Sequence, residues 1–313
     1  MKLKLTMLVV VAVLAIAAFM FIDLPSNWDY ALQRRVKKVL AIALTGGAIA
    51  YATLVFQTLT NNRILTPNII GLDSLFMLTQ TFIIFAFGSM SMPITNKYMN
   101  FSLSVAGMIL FVAFLYWLLF KREGKHLYLL LLIGLVMGTL FGSLTTFMQV
   151  LIDPNEFLII QGKMFASFNN VKTDLLVLSF IVVGAVALYS ARFTKFFDIM
   201  SLGKEHSVNL GVPYDYVVKN MLIVVTILIA ISTALVGPIT FLGLLVVNLA
   251  YQFMGTYRHT ILIPGSILIS IIALVGGQFI VERVFVFETT VSVIINFIGG
   301  VYFLYLLLKE SKA

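Results

Sequence analysis

Residues able to do covalent or metal chemistry are scarce in this chain. Its 313 residues include no cysteine, three histidines and thirteen acids. Without cysteine there is no thiol nucleophile, no Cys-ligated zinc and no disulfide. The acids and histidines fall mostly near the ends of apolar runs, which leaves little for a buried metal site or an acid–base pair. The loop that cradles nucleotide phosphates, Gly-x-x-x-x-Gly-Lys-[Ser/Thr], is absent. Work drawn from ATP must then come from another chain. Polar side chains inside the apolar runs are neutral: Gln57, Gln80, Gln149, Asn248, Gln278 and Asn296. An ion-coupled carrier usually keeps a carboxylate or a base at mid-membrane depth, because its ion needs such a partner. Asp73, placed about five residues into its run, comes nearest to that role. The expectation is therefore energy delivered from outside the bilayer. The amides themselves suit interhelical hydrogen bonds, with Gln57 and Asn248 kept as candidates for a pathway.

The elements that must position these residues are membrane spans. The chain is 61% hydrophobic and 11% charged, with mean hydropathy +1.05, against roughly 25% charged residues in a soluble domain. Its apolar runs are of helix length, so the expected fold is all-α and polytopic, one domain over 1–313. The first run, to Ile22, meets Asp23, Leu24 and Pro25 rather than a small-residue cleavage site, and reads as a span rather than a signal peptide. Further spans are expected at 39–59, 68–88, 98–120, 127–151, 173–190, 220–236, 239–254, 261–281 and 289–308, about ten in all. The run at 239–254 is short and begins at Gly237 and Pro238, which suggests a tilted, broken or partly inserted helix. Thirteen of the 21 Lys and Arg fall on the cytoplasmic side if both termini are cytoplasmic, and eight on the other. Half of those eight form one cluster, Arg34, Arg35, Lys37 and Lys38. The net charge of +8 fits orientation against anionic lipid better than nucleic acid.

The longest polar interruption is 192–219. Phe193, Phe196, Phe197, Ile199 and Met200 precede Leu202 and Gly203. A polar turn carrying Glu205 and His206 follows, then Leu210, Gly211, Val212 and Pro213. Apolar residues beside Gly and Pro stops suggest one or two short helices closed by glycine, able to seat in a partner's groove. In the fifth span Gly134, Gly138 and Gly142 share one face. Small residues at this spacing allow close helix packing or make a side-chain-poor wall along a pathway. The loop 153–172 has room for a short helix at the membrane surface, or for an ordinary amphipathic linker.

Several of these features, in order, resemble the FecCD-type permeases, the membrane subunits of ABC importers for iron-siderophores and cobalamin. Arg35 and Lys38 fall on the two arginines of the family's Arg-x-Pro-Arg, with Lys37 in place of the proline. Gly46, Gln57, Asn61, Asn62 and Pro67 to Gly71 follow in the family order. Ala166, Ser167 and Phe168 are similar to a Gly-Ser that follows a tryptophan, where this chain has Lys163. Leu202 and Gly203 with Leu210, Gly211 and Val212 resemble the cytoplasmic coupling loop. Residues 237–244, GPITFLGL, match closely, with Val247 and Asn248 where the family has Pro-His. Glu282, Arg283, Glu288 and Gly299 are similar to the closing stretch, with Thr289, Thr290 and Ser292 as departures.

The resemblance implies a type II ABC importer architecture and a set of partners. A binding (lipo)protein outside the membrane would dock its acidic residues on Arg35, Lys38 and Arg283. Two cytoplasmic ATPase subunits, using ATP and magnesium, would push on Leu202, Gly203, Glu205, His206, Leu210 and Gly211. A second permease would complete the pathway, with the divergence favouring a heterodimer over a homodimer. The cargo expected is a ferric siderophore. Cobalamin and haem are alternatives within the class. A free-ion path should show carboxylates or histidines along the spans, and an ion-coupled carrier should show a charge at mid-depth.

Overall fold

A computed structural model describes residues 2–23, 27–120, 127–169, 171–287 and 289–310. Lys121, Arg122, Lys125, Glu288 and Lys312, counted above as cations or motif residues, lie outside that set. The described residues form helices joined by short turns: α1 (Lys2–Phe21), α2 (Trp28–Thr60), α3 (Leu72–Phe87), α4 (Met92–Thr95), α5 (Lys97–Phe120), α6 (Leu127–Leu151) and α7 (Pro154–Met164). After these come α8 (Thr173–Ala191), α9 (Thr194–Met200), α10 (Lys204–Asn209), α11 (Tyr214–Val236), α12 (Leu242–Met254), α13 (His259–Arg283) and α14 (Val291–Glu310). Each of the ten expected spans coincides with one of these helices. Eight are long and apolar enough to cross a membrane, and α3 and α12 are shorter.

The two short helices are short because the chain breaks before them. At 1.5 Å per residue, α3 and α12 cover only about 24 and 20 Å of the ~30 Å hydrocarbon core. Ahead of α3 the chain is irregular from Asn61 to Thr66, makes a 3-10 turn at Pro67–Ile70, and turns at Gly71. Ahead of α12 it turns at Gly237, whose φ of +104° is closed to residues with a Cβ. Pro238 follows and denies the turn a backbone donor.

The core is an inner set of helices wrapped by outer ones. In its most apolar stretch α2 is 78% buried, and α11 is 72% buried. Phe56, Leu54, Ile42, Val225 and Met221 are almost wholly enclosed there. By contrast α1, α5, α6, α8 and α14 are 17–28% buried, and large apolar side chains such as Leu14, Leu110, Val136, Ile181 and Phe297 project from them. A helix apolar all round needs hydrocarbon or another helix on its bare side. The expected surface helix is also present. Asp153 caps α7 by accepting from the Asn155 amide at 2.8 Å, Pro154 starts it, and Ile160 is buried against Ile84 and Ile152.

The glycine stripe of α6 divides by contact. A Cβ on Gly134 would lie 2.7 Å from the Ile70 Cα, and one on Gly138 would lie 3.2 Å from the Gly71 Cα. Both glycines therefore seat the broken segment before α3 and are covered by it. Gly142 has nothing within 4 Å. Of the two readings, close packing holds for the first pair, and only Gly142 is left on open surface. Gly134→Val should cost about 1–3 kcal/mol, since the opposing atom is backbone and cannot give way. The check is the thermal unfolding midpoint of the purified chain. Gly142→Val should leave that midpoint where it is.

Candidate coupling elbow and the opposite rim

Two short helices form an elbow at one end of the bundle. α9 is anchored by Phe197 and Met200, both fully buried, and Val212 closes the segment from below. The Ser207 hydroxyl donates to the carbonyls of Gly203 (2.6 Å) and Ile199 (3.1 Å), folding α10 back on α9. This leaves the tip apolar and bare. Leu202 is 57% exposed and Leu210 61%, with Val208, Glu205, His206 and Gly211 also exposed.

The elbow is mounted on the core by three polar links. Asp198 in α9 accepts from the His259 backbone N–H at 2.8 Å and lies 2.7 Å from its Nδ1. The other ring nitrogen lies 2.7 Å from the Thr58 hydroxyl in the last turn of α2. His259 is 1% exposed, so these contacts are its whole polar environment. Asn61, left-handed at the end of α2 (φ +51°), donates its side-chain amide to the Ser201 carbonyl and accepts from the Gly203 N–H, each at 3.0 Å, and the Tyr214 hydroxyl donates to the Leu59 carbonyl at 3.3 Å. α9 is thus tied by side-chain bonds to the end of α2 and the start of α13. Neither Asp198 nor His259 stood out in the sequence. The available signal was a rare histidine beside a cation at the start of a span.

At the far end, where α1 meets α2, the three cations expected to dock a partner have local work. Arg35 is 8% exposed and donates to the carbonyls of Met20 (2.8 Å), Ile22 (2.9 Å) and Asp23 (3.1 Å). Arg283 donates to the Ile22 and Asp23 carbonyls, each at 2.9 Å, and pairs with the Asp23 carboxylate. Lys38 pairs with Glu282 at 2.6 Å, both largely buried. As an exposed rim residue, Arg35 is thus corrected. The last carbonyls of α1 have no intrahelical donors, and an internal arginine supplies them. Of the basic cluster 34–38, Arg34 and Lys37 are the exposed members.

The other sequence candidates also serve the backbone. The Gln57 and Asn248 side-chain amides both donate to the Arg63 carbonyl, at 2.7 and 2.9 Å. They hold the irregular segment between α2 and α3 rather than face open space, and both are buried. Asp73 needs a second correction. Gly71 packs on Gly138, half-way along α6, so Asp73, in the first turn of α3, sits near mid-height. The expectation of no charged side chain there fails because depth was counted along an unbroken run. Its carboxylate accepts from the hydroxyls of Thr240 (3.1 Å) and Thr233 (3.5 Å), joining the two helix breaks.

Lys163 is the remaining unusual cation. It lies on α7 and donates to the Gln80 Oε1 at 2.6 Å, which also accepts from Asn100 at 3.0 Å. Burial without a carboxylate partner among the described residues pushes it down to about 8. It is still mostly protonated at neutral pH and loses its charge as pH rises through 8.

Ten apolar helices among the described residues, two of them short after chain breaks, with a tethered elbow of apolar tip, make up a membrane permease. This chain belongs to the FecCD transport family, whose profile matches residues 3–309. It is 65% identical over 312 residues to the petrobactin import system permease protein YclO of Bacillus subtilis, covering 100% of this chain and 99% of that one. It is 36% identical over 292 residues to the petrobactin import system permease protein FatC of Bacillus anthracis (92% and 81% covered). A permease named for the same B. subtilis system, YclN, is 26% identical over 284 residues (88% and 85%). The fold matches an inward-facing conformation of a metal-chelate type ABC transporter with TM-score 0.85 at 21% identity, covering 98% and 99%.

The clamp has a direct test. Arg35→Ala should destabilise the purified chain by about 1.5–3 kcal/mol, because carbonyls paired to a charged donor lose it, and should raise amide exchange around residues 20–23. Arg34→Ala, one residue away and exposed, should do neither.

Proposed function

We propose that this chain is the membrane permease of an ATP-driven importer for a ferric siderophore. The observation that carries the proposal is the 65% identity, end to end, with a permease named for petrobactin import. Petrobactin is accordingly the first chelate to try. A partner ATPase closes on ATP and presses on the apolar tip Leu202–Val208–Leu210. The links through Asp198, His259 and Asn61 carry that displacement to α2 and α13. In this reading the elbow is cytoplasmic and the α1–α2 end faces outward, which also puts both termini inside. The differential contacts that the ATPase makes with the two states supply the shift.

A second, non-identical permease completes the pathway. What supports this is that two B. subtilis permeases, YclO and YclN, carry the petrobactin import name at very different identity to this chain. An extracellular binding (lipo)protein delivers cargo to the outer face. Arg34 and Lys37 are its better electrostatic contacts there, being exposed. Lys38 and Arg283 join them only at the rim of their internal pairs. Such a cluster speeds encounter with an acidic partner in a salt-dependent way.

Double substitution of the tip, Leu202→Asp with Leu210→Asp, tests the reading. Both side chains are more than half exposed, so the thermal midpoint should hold. Uptake of iron-55 petrobactin by cells should fall at least about tenfold, the equivalent of about 1.4 kcal/mol at the contact. Undiminished uptake would remove the elbow from the mechanism, and a deletion strain that still imports every ferric siderophore would remove the function.

A further inference from the structure

The face opposite the elbow also carries lysines that are not part of the α1 clamp. A cavity of about 310 Å³ opens there between α3, α5, α7 and the end of α11, and Lys97, Lys163 and Lys172 all line it, with Asn100 and Ser167. No carboxylate is among its described lining residues. A second cavity of about 290 Å³ also has Lys97 and Val171 in its wall and continues with Arg34, Lys37 and Lys38. The acids nearby are engaged. Asp174 accepts from the Tyr98 hydroxyl, Glu156 from the Ser89 amide and Glu282 from Lys38.

We infer that the Lys163 cavity is a binding site for a small oxyanion-bearing ligand, the exposed carboxylate or phenolate oxygens of an anionic metal chelate. Ammonium groups converging in a cleft with low-dielectric walls concentrate anions there. The volume is at the lower end for ligand pockets and takes one arm of a chelate rather than a whole one. Lys163 is the centre of the site. Gln80, itself held by Asn100, accepts from its ammonium group and does not neutralise it. Burial leaves that ammonium group poorly hydrated, so an entering anion has little water to displace from it. Lys172 is held over the Tyr98 ring at 4.9 Å. The other titratable side chains that line the cavity with Lys163 are Lys97 and Lys172. The choice of a chelate as ligand rests on the importer reading above. The oxyanion site itself does not.

The test uses the full chain in nanodiscs of neutral lipid, with its lysines reductively methylated with carbon-13. Citrate and gallium tris-catecholate are titrated in at constant ionic strength. The Lys163 methyl signal, assigned by its loss in Lys163→Gln, should shift saturably, while those of Lys2 and Lys4 should not. Lys163→Arg, with the charge retained, should preserve saturable shifts at Lys97 and Lys172. Lys163→Gln should weaken them at least about tenfold. Equal, unsaturable shifts at every lysine would mean screening alone and would overturn the site. So would binding unchanged in Lys163→Gln, or a site filled by anionic lipid that citrate does not displace. A wild type that imports no ferric siderophore would sink the importer reading and leave citrate binding at Lys163 to be judged on its own.

Discussion

A chain that breaks its helices inside a bilayer has to find partners for every backbone group it frees, because the hydrocarbon offers none. This constraint explains most of the polar side chains in the molecule. Gln57 and Asn248 converge on the Arg63 carbonyl. The Asn62 side chain accepts from the Ile64 N–H, and Asn296 from the Phe241 N–H ahead of α12. Ser292 accepts from the Ala166 N–H, beside the Gly237 turn. Arg35 and Arg283 close the open carbonyls of α1, and Lys4 does the same for Phe253 near the end of α12. Side chains with the look of pathway or docking residues are thus largely the fittings that allow the breaks.

What the breaks provide is a bundle with joints. Continuous spans such as α2, α11 and α13 make the stiff interior, and the segments before α3 and α12 meet near mid-height through Asp73, Thr233 and Thr240. The elbow is bonded to the ends of those stiff helices. Under the proposed function, a partner acting on Leu202 and Leu210 would move helices rather than a loose loop. At the other end the clamp of Arg35 and Arg283 fixes α1 to α2 and α13, while the unclamped cations gather between α5, α7 and α8.

The spans were legible because an apolar run of helix length has few alternatives in a chain this hydrophobic. The elbow was legible from its Gly and Pro stops as one or two short helices, and the structure has two, α9 and α10. Its mounting was not, since Asp198 and His259 are 61 residues apart and only the packing of α9 on α13 brings them together. Arg34 and Arg35 show the limit most clearly. Neighbours on a helix point about 100° apart, so one faces solvent and the other faces the end of α1. Nothing in the sequence says on which side α1 ends. The depth of Asp73 was illegible for a similar reason, because it follows a turn at Gly71 that a hydropathy run passes over.

Asp73 also makes the central claim worth direct attack, since a carboxylate at mid-height is what a gradient-driven carrier would use. Sealed vesicles holding the full importer, with the ferric chelate outside, separate the two drives. The account predicts accumulation when ATP is supplied inside, undiminished by a protonophore and retained in Asp73→Asn. Accumulation without ATP, driven by an imposed proton or sodium gradient and lost in Asp73→Asn, would contradict it.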